Sequence, residues 1–279
     1  MSAVSDRGAE LLSVAHALAD AARPVAMRYF RLPDQGLENK DARGFDPVTA
    51  ADRGIEEAMR QILAAARPDD AVLGEEFGRQ TGSTGLTWVL DPIDGTRGFI
   101  SGTPTWGVLI AVGPETGPTI GMIDQPFIRE RFWGWPDGAY RNHGGQTCGI
   151  RVRPCATLGL ATLFTTFPEV GTLAEKAAFQ RVAAAARLVR YGMDCYAYAL
   201  LASGQVDLVI EAGMAPYDIH GPLALVKAAG GIVTNWQGGP AHQGGQVIAA
   251  GDPRIHAESL RLLAGGQGLN PVVDIKLPD

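Results

Sequence analysis

The sequence predicts a mixed α/β fold, built as one large unit or two closely packed ones, and three observations carry that reading. The chain has 279 residues, 46% of them hydrophobic, enough to bury a substantial core without disulfide staples. Helical periodicity opens the chain and gives way to a run of short apolar segments. Beyond about residue 154, helix and strand patterns alternate, as they do where helices cover a mixed or parallel sheet.

Residues 5–30 repeat apolar side chains at helical spacing, among them Leu11, Ala15, Leu18, Ala22, Ala26 and Phe30, so a long helix is expected before Pro33 and Gly36. The run 46–51 leads into a second helix with Ile55, Met59, Ile62 and Leu63 on one face, stopped by Pro68. Strands are expected at 71–73, 88–90, 106–112, 119–123 and 130–135, with turn-rich breaks such as 114–118 between them. The polar, glycine-rich stretch 138–154 reads as a subdomain boundary, which divides the chain into an N-terminal α+β part, 1–142, and a C-terminal α/β part, 143–264. That second part reads as strand 160–164, helices 173–187 and 196–202, strand 206–210, helix 222–229, strands 232–234 and 247–249, and helix 253–263. Residues 265–279 show no periodicity and read as a loose tail.

Composition removes several classes of function. A formal charge of -6 argues against a nucleic-acid backbone as partner. No apolar run approaches the roughly 18 residues of a membrane helix, and the first residues lack the basic and apolar regions of a secretory leader, so a cytoplasmic protein without membrane contact is expected. The cysteines, Cys148, Cys155 and Cys195, are odd in number and form no C-x-x-C pair, which points away from zinc and disulfides. The 36 glycines are about twice the usual share and read as many tight turns.

The segment Trp88-Val-Leu-Asp91-Pro-Ile93-Asp94-Gly95-Thr96-Arg-Gly-Phe99 carries the chemistry. A buried strand ends on one carboxylate, Pro92 stiffens the turn, and a second carboxylate follows three residues later. Gly95 permits close backbone approach, and Thr96 stands where a following helix would offer free N–H groups to an anion. Carboxylates beside backbone donors suit a divalent cation and a phosphate sharing one site. Asp-Pro and Asp-Gly alone are common turn dipeptides, consecutive glutamates such as Glu75-Glu76 are often solvated, and a lone aspartate such as Asp218 is often a helix cap. Their combination in one chain carries more weight than any of the three.

Taken in order, Asp46-Pro-Val-Thr49-Ala-Ala-Asp52, Gly74-Glu75-Glu76, Trp88–Phe99, Pro216-Tyr-Asp218-Ile-His220-Gly221 and Ala228-Ala-Gly-Gly231 resemble the inositol monophosphatase family of magnesium-dependent, lithium-sensitive phosphatases. The resemblance spans about residues 5–263. It implies a layered αβαβα sandwich, a homodimer, a small phosphate monoester as substrate, and two to three Mg2+ ions per site. By the same resemblance, Glu75, Asp91 and the Ile93 carbonyl would hold one ion and Asp91, Asp94 and Asp218 a second, with Glu75 also serving a third through water. Asp52 and Thr96 would orient and deprotonate the attacking water, and the N–H groups of Gly95 and Thr96 would bind phosphate. Read as residues alone, Asp52 also fits the first turn of its helix, Thr49 a helix cap, Lys40 a solvated loop, and Trp106 the core.

The resemblance further implies that the leaving group would contact Asp94, Gly192, Asp194 and Glu211. Tyr191-Gly192-Met-Asp194-Cys-Tyr-Ala-Tyr198-Ala199, Arg97–Gly102 and Thr105–Ile110 resemble the branch that dephosphorylates histidinol phosphate in histidine biosynthesis. An extra carboxylate at Asp194 suits a cationic amino alcohol better than a neutral polyol, and a helix cap is the other use of that residue. The alternatives are an inositol-1-monophosphatase or a 3'(2'),5'-bisphosphate nucleotidase. A magnesium or calcium sensor would need only the carboxylates, and the alternating ligands of an EF-hand are absent around Asp91.

Overall fold

Helix α1 (Ala3–Tyr29) leads through a small pair, β1 (Glu38–Asn39) and β2 (Pro47–Val48), to helix α2 (Ala50–Ala66) in the computed structural model, which describes residues 3–32, 38–39, 47–114 and 116–265. Lys40, Asp46 and the tail 266–279 lie outside the described residues. Next come β3 (Ala71–Gly74), β4 (Gly78–Gln80), β5 (Thr87–Asp94), the short helix α3 (Thr96–Ile100), β6 (Gly107–Gly113), β7 (Ile120–Gln125), β8 (Glu130–Trp135), β9 (Gly138–His143) and β10 (Gln146–Ile150). These strands form one sheet in the order β10-β9-β8-β7-β6-β5-β3-β4, antiparallel throughout except where β3 runs parallel to β5. The chain continues as β11 (Thr162–Thr165), α4 (Leu173–Ala185), β12 (Leu188–Tyr191), α5 (Tyr196–Ala202), β13 (Leu208–Met214), α6 (Pro216–Ala228), β14 (Ile232–Thr234), β15 (Gly245–Ala250) and α7 (Pro253–Leu263). Its strands make a second sheet ordered β12-β11-β13-β15-β14.

The period-2 alternation of the strands explains the layering. Val108, Ile110 and Val112 of β6 face α1 and α2 in one core, while Leu109 faces α5 and α6 in a second. Val209 of β13 joins that second core from the other sheet, and Leu208 and Ile210 point away into a third, shared with α4 and α7. The central strands, such as β6 and β13, therefore bury both faces, and the result is helix, sheet, helix, sheet, helix: the αβαβα sandwich implied by the resemblance. Close stacking needs small residues, and a Cβ on Gly121 of β7 would come within 2.2 Å of the Gly221 carbonyl of α6.

Several expectations are corrected. Helix α6 begins at Pro216 rather than at 222, so Asp218 sits within its first turn and Pro222 lies inside it. The stretch 138–154 holds the β9–β10 hairpin, so the first sheet runs on to Ile150, and the expected division between 142 and 143 falls near the hairpin's turn. Part of the expected strand 160–164 is a 3-10 turn at Leu158–Leu160, and β4 and β12 have no counterpart in the sequence reading. No helix among the described residues is long and apolar enough to cross a membrane.

Candidate active site

Two aspartates three positions apart in a regular strand would point to opposite faces. Asp91 and Asp94 instead converge, because the β5–β6 pairing shifts register between them, where Pro92 has no N–H to offer. Asp218 reaches the same place from the first turn of α6, anchored by the Ala215 N–H at 2.7 Å from its Oδ2. One carboxylate oxygen from each of the three lies within 4.8 Å of the others. Glu75 arrives by the parallel register of β3 and β5, its N–H donating to the Leu90 carbonyl at 3.2 Å. All four acids line a cavity of about 340 Å³.

Electrostatics in this cluster demand a counter-charge. Burial, reinforced by the charges of Glu75, Asp94 and Asp218, holds the Asp91 carboxyl well above the usual carboxylate range. Burial also raises Asp94, and Asp194 and Asp218 add to it. Asp91 is 1% exposed and its Oδ1 has no hydrogen-bond partner among the described residues. An orphaned buried oxygen amid converging hard oxygen donors fits a magnesium-type cation.

The remaining expected residues fall into place unevenly. Ile93, Gly95 and Thr96 line the cavity, with Gly95 left-handed (φ 83°) at the start of α3. Thr96 Oγ1 donates to the Ile93 carbonyl at 3.1 Å and makes no hydrogen bond with Asp52. Asp52 stands outside the cavity lining, 1% exposed, and its Oδ2 accepts from the Thr49 N–H at 2.8 Å and the Thr49 hydroxyl at 2.6 Å. Thr49 is thus the cap of α2, and burial lifts Asp52 to about 6. Trp106 is buried in the first core.

Asp194 lines the cavity, in the left-handed region (φ 46°). It does not cap α5; that position is Cys195, and the Asp194 Oδ2 accepts from the Thr105 hydroxyl at 2.9 Å. Its carboxylate lies so close to Gly95 that a Cβ there would come within 2.7 Å of it. Burial raises the Asp194 carboxyl, against the Thr105 hydrogen bond. Glu211 also lines the cavity, held by the Thr165 hydroxyl at 3.1 Å, the Thr166 N–H at 2.7 Å and the Thr166 hydroxyl at 2.9 Å. Burial nonetheless pushes it up to about 7. Gly192 is exposed, outside the cavity lining, and its N–H donates to the Thr166 carbonyl at 3.0 Å.

The sequence reading missed Glu56, whose fully buried carboxylate accepts from the Glu76 N–H at 2.7 Å and the Phe77 N–H at 3.2 Å and so holds the turn carrying Glu75. A signal existed: Glu56 shares the apolar stripe of α2 with Met59 and Leu63, at spacings of three and seven, where a charge is out of place. Thr105 and Tyr198 fell inside segments that carry the resemblance but were given no role, and Thr166 was missed with no mark of its own.

The inositol monophosphatase family model matches residues 8–266. The chain is 40% identical over 262 residues to a bifunctional phosphatase of Arabidopsis thaliana, IMPL2, covering 90% of this chain and 74% of that protein. It is 34% identical over 261 residues to a histidinol-phosphatase of Mycobacterium tuberculosis, covering 91% and 98%. Among solved structures, an inositol monophosphatase from Zymomonas mobilis aligns with a TM-score of 0.81 at 37% identity, covering 95% of this chain and 100% of that one.

Proposed function

The chain belongs to the inositol monophosphatase family and is a phosphatase, and from that premise we propose that it hydrolyses L-histidinol phosphate to L-histidinol and phosphate. The observation that carries the reading is the Asp194 carboxylate on the wall of the cavity that holds the acidic cluster. A protonated amino or imidazole group gains from that charge, whereas a neutral polyol does not. Glu211 adds a second carboxylate to the same cavity, and a relative named for histidinol phosphate supports the reading.

In this account Glu75, Asp91, the Ile93 carbonyl, Asp94 and Asp218 would hold two to three magnesium ions. When bound, the ions supply positive charge that stabilises the charge developing on the transferred phosphoryl group. The N–H groups of Gly95 and Thr96 bind phosphate oxygens at the start of α3. A water oxygen bonds to phosphorus as the ester P–O bond breaks, and a proton from that water ends on the departing alcohol, leaving phosphate. Asp52, its carboxyl lifted to about 6 by burial and standing outside the cavity lining, takes that proton in transit by way of the Thr96 hydroxyl, which turns from the Ile93 carbonyl to orient the water. Asp94, Asp194 and Glu211 contact the leaving group, Gly192 sets the turn before Asp194, and the active form is a homodimer inhibited by lithium uncompetitively.

Phosphate release from p-nitrophenyl phosphate with and without magnesium separates an enzyme from a sensor. Steady-state kcat/KM on histidinol phosphate, inositol-1-phosphate and a nucleoside 3',5'-bisphosphate then tests the substrate, and a preference for either of the last two replaces it.

A further inference from the structure

Tyr196 and Tyr198 stand two residues apart on α5, and only one of their hydroxyls finds a partner among the described residues. The Tyr196 hydroxyl donates to Glu130 Oε2 at 2.7 Å. Tyr198 is 2% exposed, its ring packed in the core between the two sheets, and its hydroxyl has no hydrogen-bond partner among the described residues. The same residue lines the candidate active-site cavity. A buried hydroxyl without a partner is costly, and a phenylalanine would fill the core equally well without that cost, so the hydroxyl has its use in the cavity.

The surroundings define what it binds. Burial, and then the negative charges of Glu211, Asp94 and Asp218, keep the phenol protonated. Asp94 and Asp218 belong to the acidic cluster and their charge is shared with the cations it would hold, so Glu211 and Asp194 are the carboxylates that keep their full charge for an organic group. Negative charge on this wall disfavours an anionic ligand and favours a nitrogen that donates. We infer that the Tyr198 hydroxyl oxygen accepts a hydrogen bond from a protonated nitrogen of the leaving group, in concert with Asp194 and Glu211. The inference rests on the proposed preference for a cationic amino-alcohol phosphate and adds to it a specificity-determining residue.

Tyr198→Phe removes the hydroxyl and little else. The expected result is a loss in kcat/KM of at least tenfold for histidinol phosphate, mostly in KM, and at least fivefold larger than the loss for inositol-1-phosphate. Two analogues, one lacking the amino group and one lacking the imidazole, identify the nitrogen: the analogue insensitive to the substitution lacks the group that Tyr198 binds. The melting temperature should stay level or rise, because a buried unsatisfied group has gone. Equal losses on all substrates, or a histidinol phosphate preference that is unchanged in Tyr198→Phe, overturns the inference alone. A wild-type protein that hydrolyses these esters without preferring histidinol phosphate overturns the substrate reading and this inference with it.

Discussion

Asp94 Oδ2 accepts the backbone N–H of Cys195 at 2.6 Å, across 101 residues of sequence. One carboxylate thus belongs to the acidic cluster and also fixes the segment that carries Asp194. Asp94→Asn can keep an oxygen for the Cys195 N–H while removing the charge. The fold should persist and turnover at saturating magnesium should fall at least a hundredfold, since stabilisation of developing charge is typically worth several kcal/mol. Near-native turnover in a correctly folded variant would remove Asp94 from the metal site.

Glu56 is a positioning residue, tied to Arg60 Nε at 2.7 Å as well as to the N–H groups that follow Glu75. Glu56→Ala leaves the N–H groups of Glu76 and Phe77 unpaired and takes the carboxylate from the half-buried Arg60 guanidinium, which keeps its bond to the Gly78 carbonyl, a loss on the order of 3 kcal/mol. Glu56→Gln keeps one acceptor and should fold. Its magnesium concentration for half-maximal activity should rise several-fold while KM for substrate moves less, and an unchanged magnesium requirement would dissociate Glu56 from the placement of Glu75.

Glu211 couples the site to pH. Its carboxyl, raised by burial from 4.5 to about 7, is neutral below that pH and charged above it. The ratio of kcat/KM for histidinol phosphate to that for inositol-1-phosphate should therefore rise between pH 6 and 8, and Glu211→Gln should flatten the rise. A raised folded-state value stabilises the protein below the unfolded value and loses that contribution as pH climbs through the folded one. Glu211→Gln should therefore gain stability relative to wild type between pH 5 and 7.5, by roughly 3 kcal/mol at most. A pH-independent difference in unfolding free energy would contradict the assignment.

Asp194→Asn keeps an acceptor for the Thr105 hydroxyl and removes the charge. A charge-assisted hydrogen bond is worth about 1.5–3 kcal/mol, so kcat/KM for histidinol phosphate should drop roughly 10- to 150-fold, with inositol-1-phosphate changed by less than about threefold. Equal drops on both substrates would reduce Asp194 to a brace for α3.

The convergence of the acids was legible because they sit in short segments with marked local chemistry. Asp91 and Asp94 share one stiff turn, and Asp218 is fixed by Pro216 in the first helical position. The start of α6 was not legible, because Pro222 is also acceptable as a helix start and the apolar run begins there. Strands β9, β10 and β12 escaped because they lie toward sheet edges: β10 and β12 are largely exposed, β9 is only partly buried, and none shows a strong apolar alternation. The Asp194 carboxylate on Thr105, and the place of Tyr198 in the cavity wall, depend on contacts between distant segments that no local pattern encodes.

The central claim, a phosphatase that selects a cationic leaving group, is tested most directly by one ratio. With wild-type protein in saturating magnesium at pH 8, kcat/KM for histidinol phosphate divided by kcat/KM for inositol-1-phosphate should exceed about ten, the factor that a single well-placed charge contact supplies. A ratio of one or below would contradict the account.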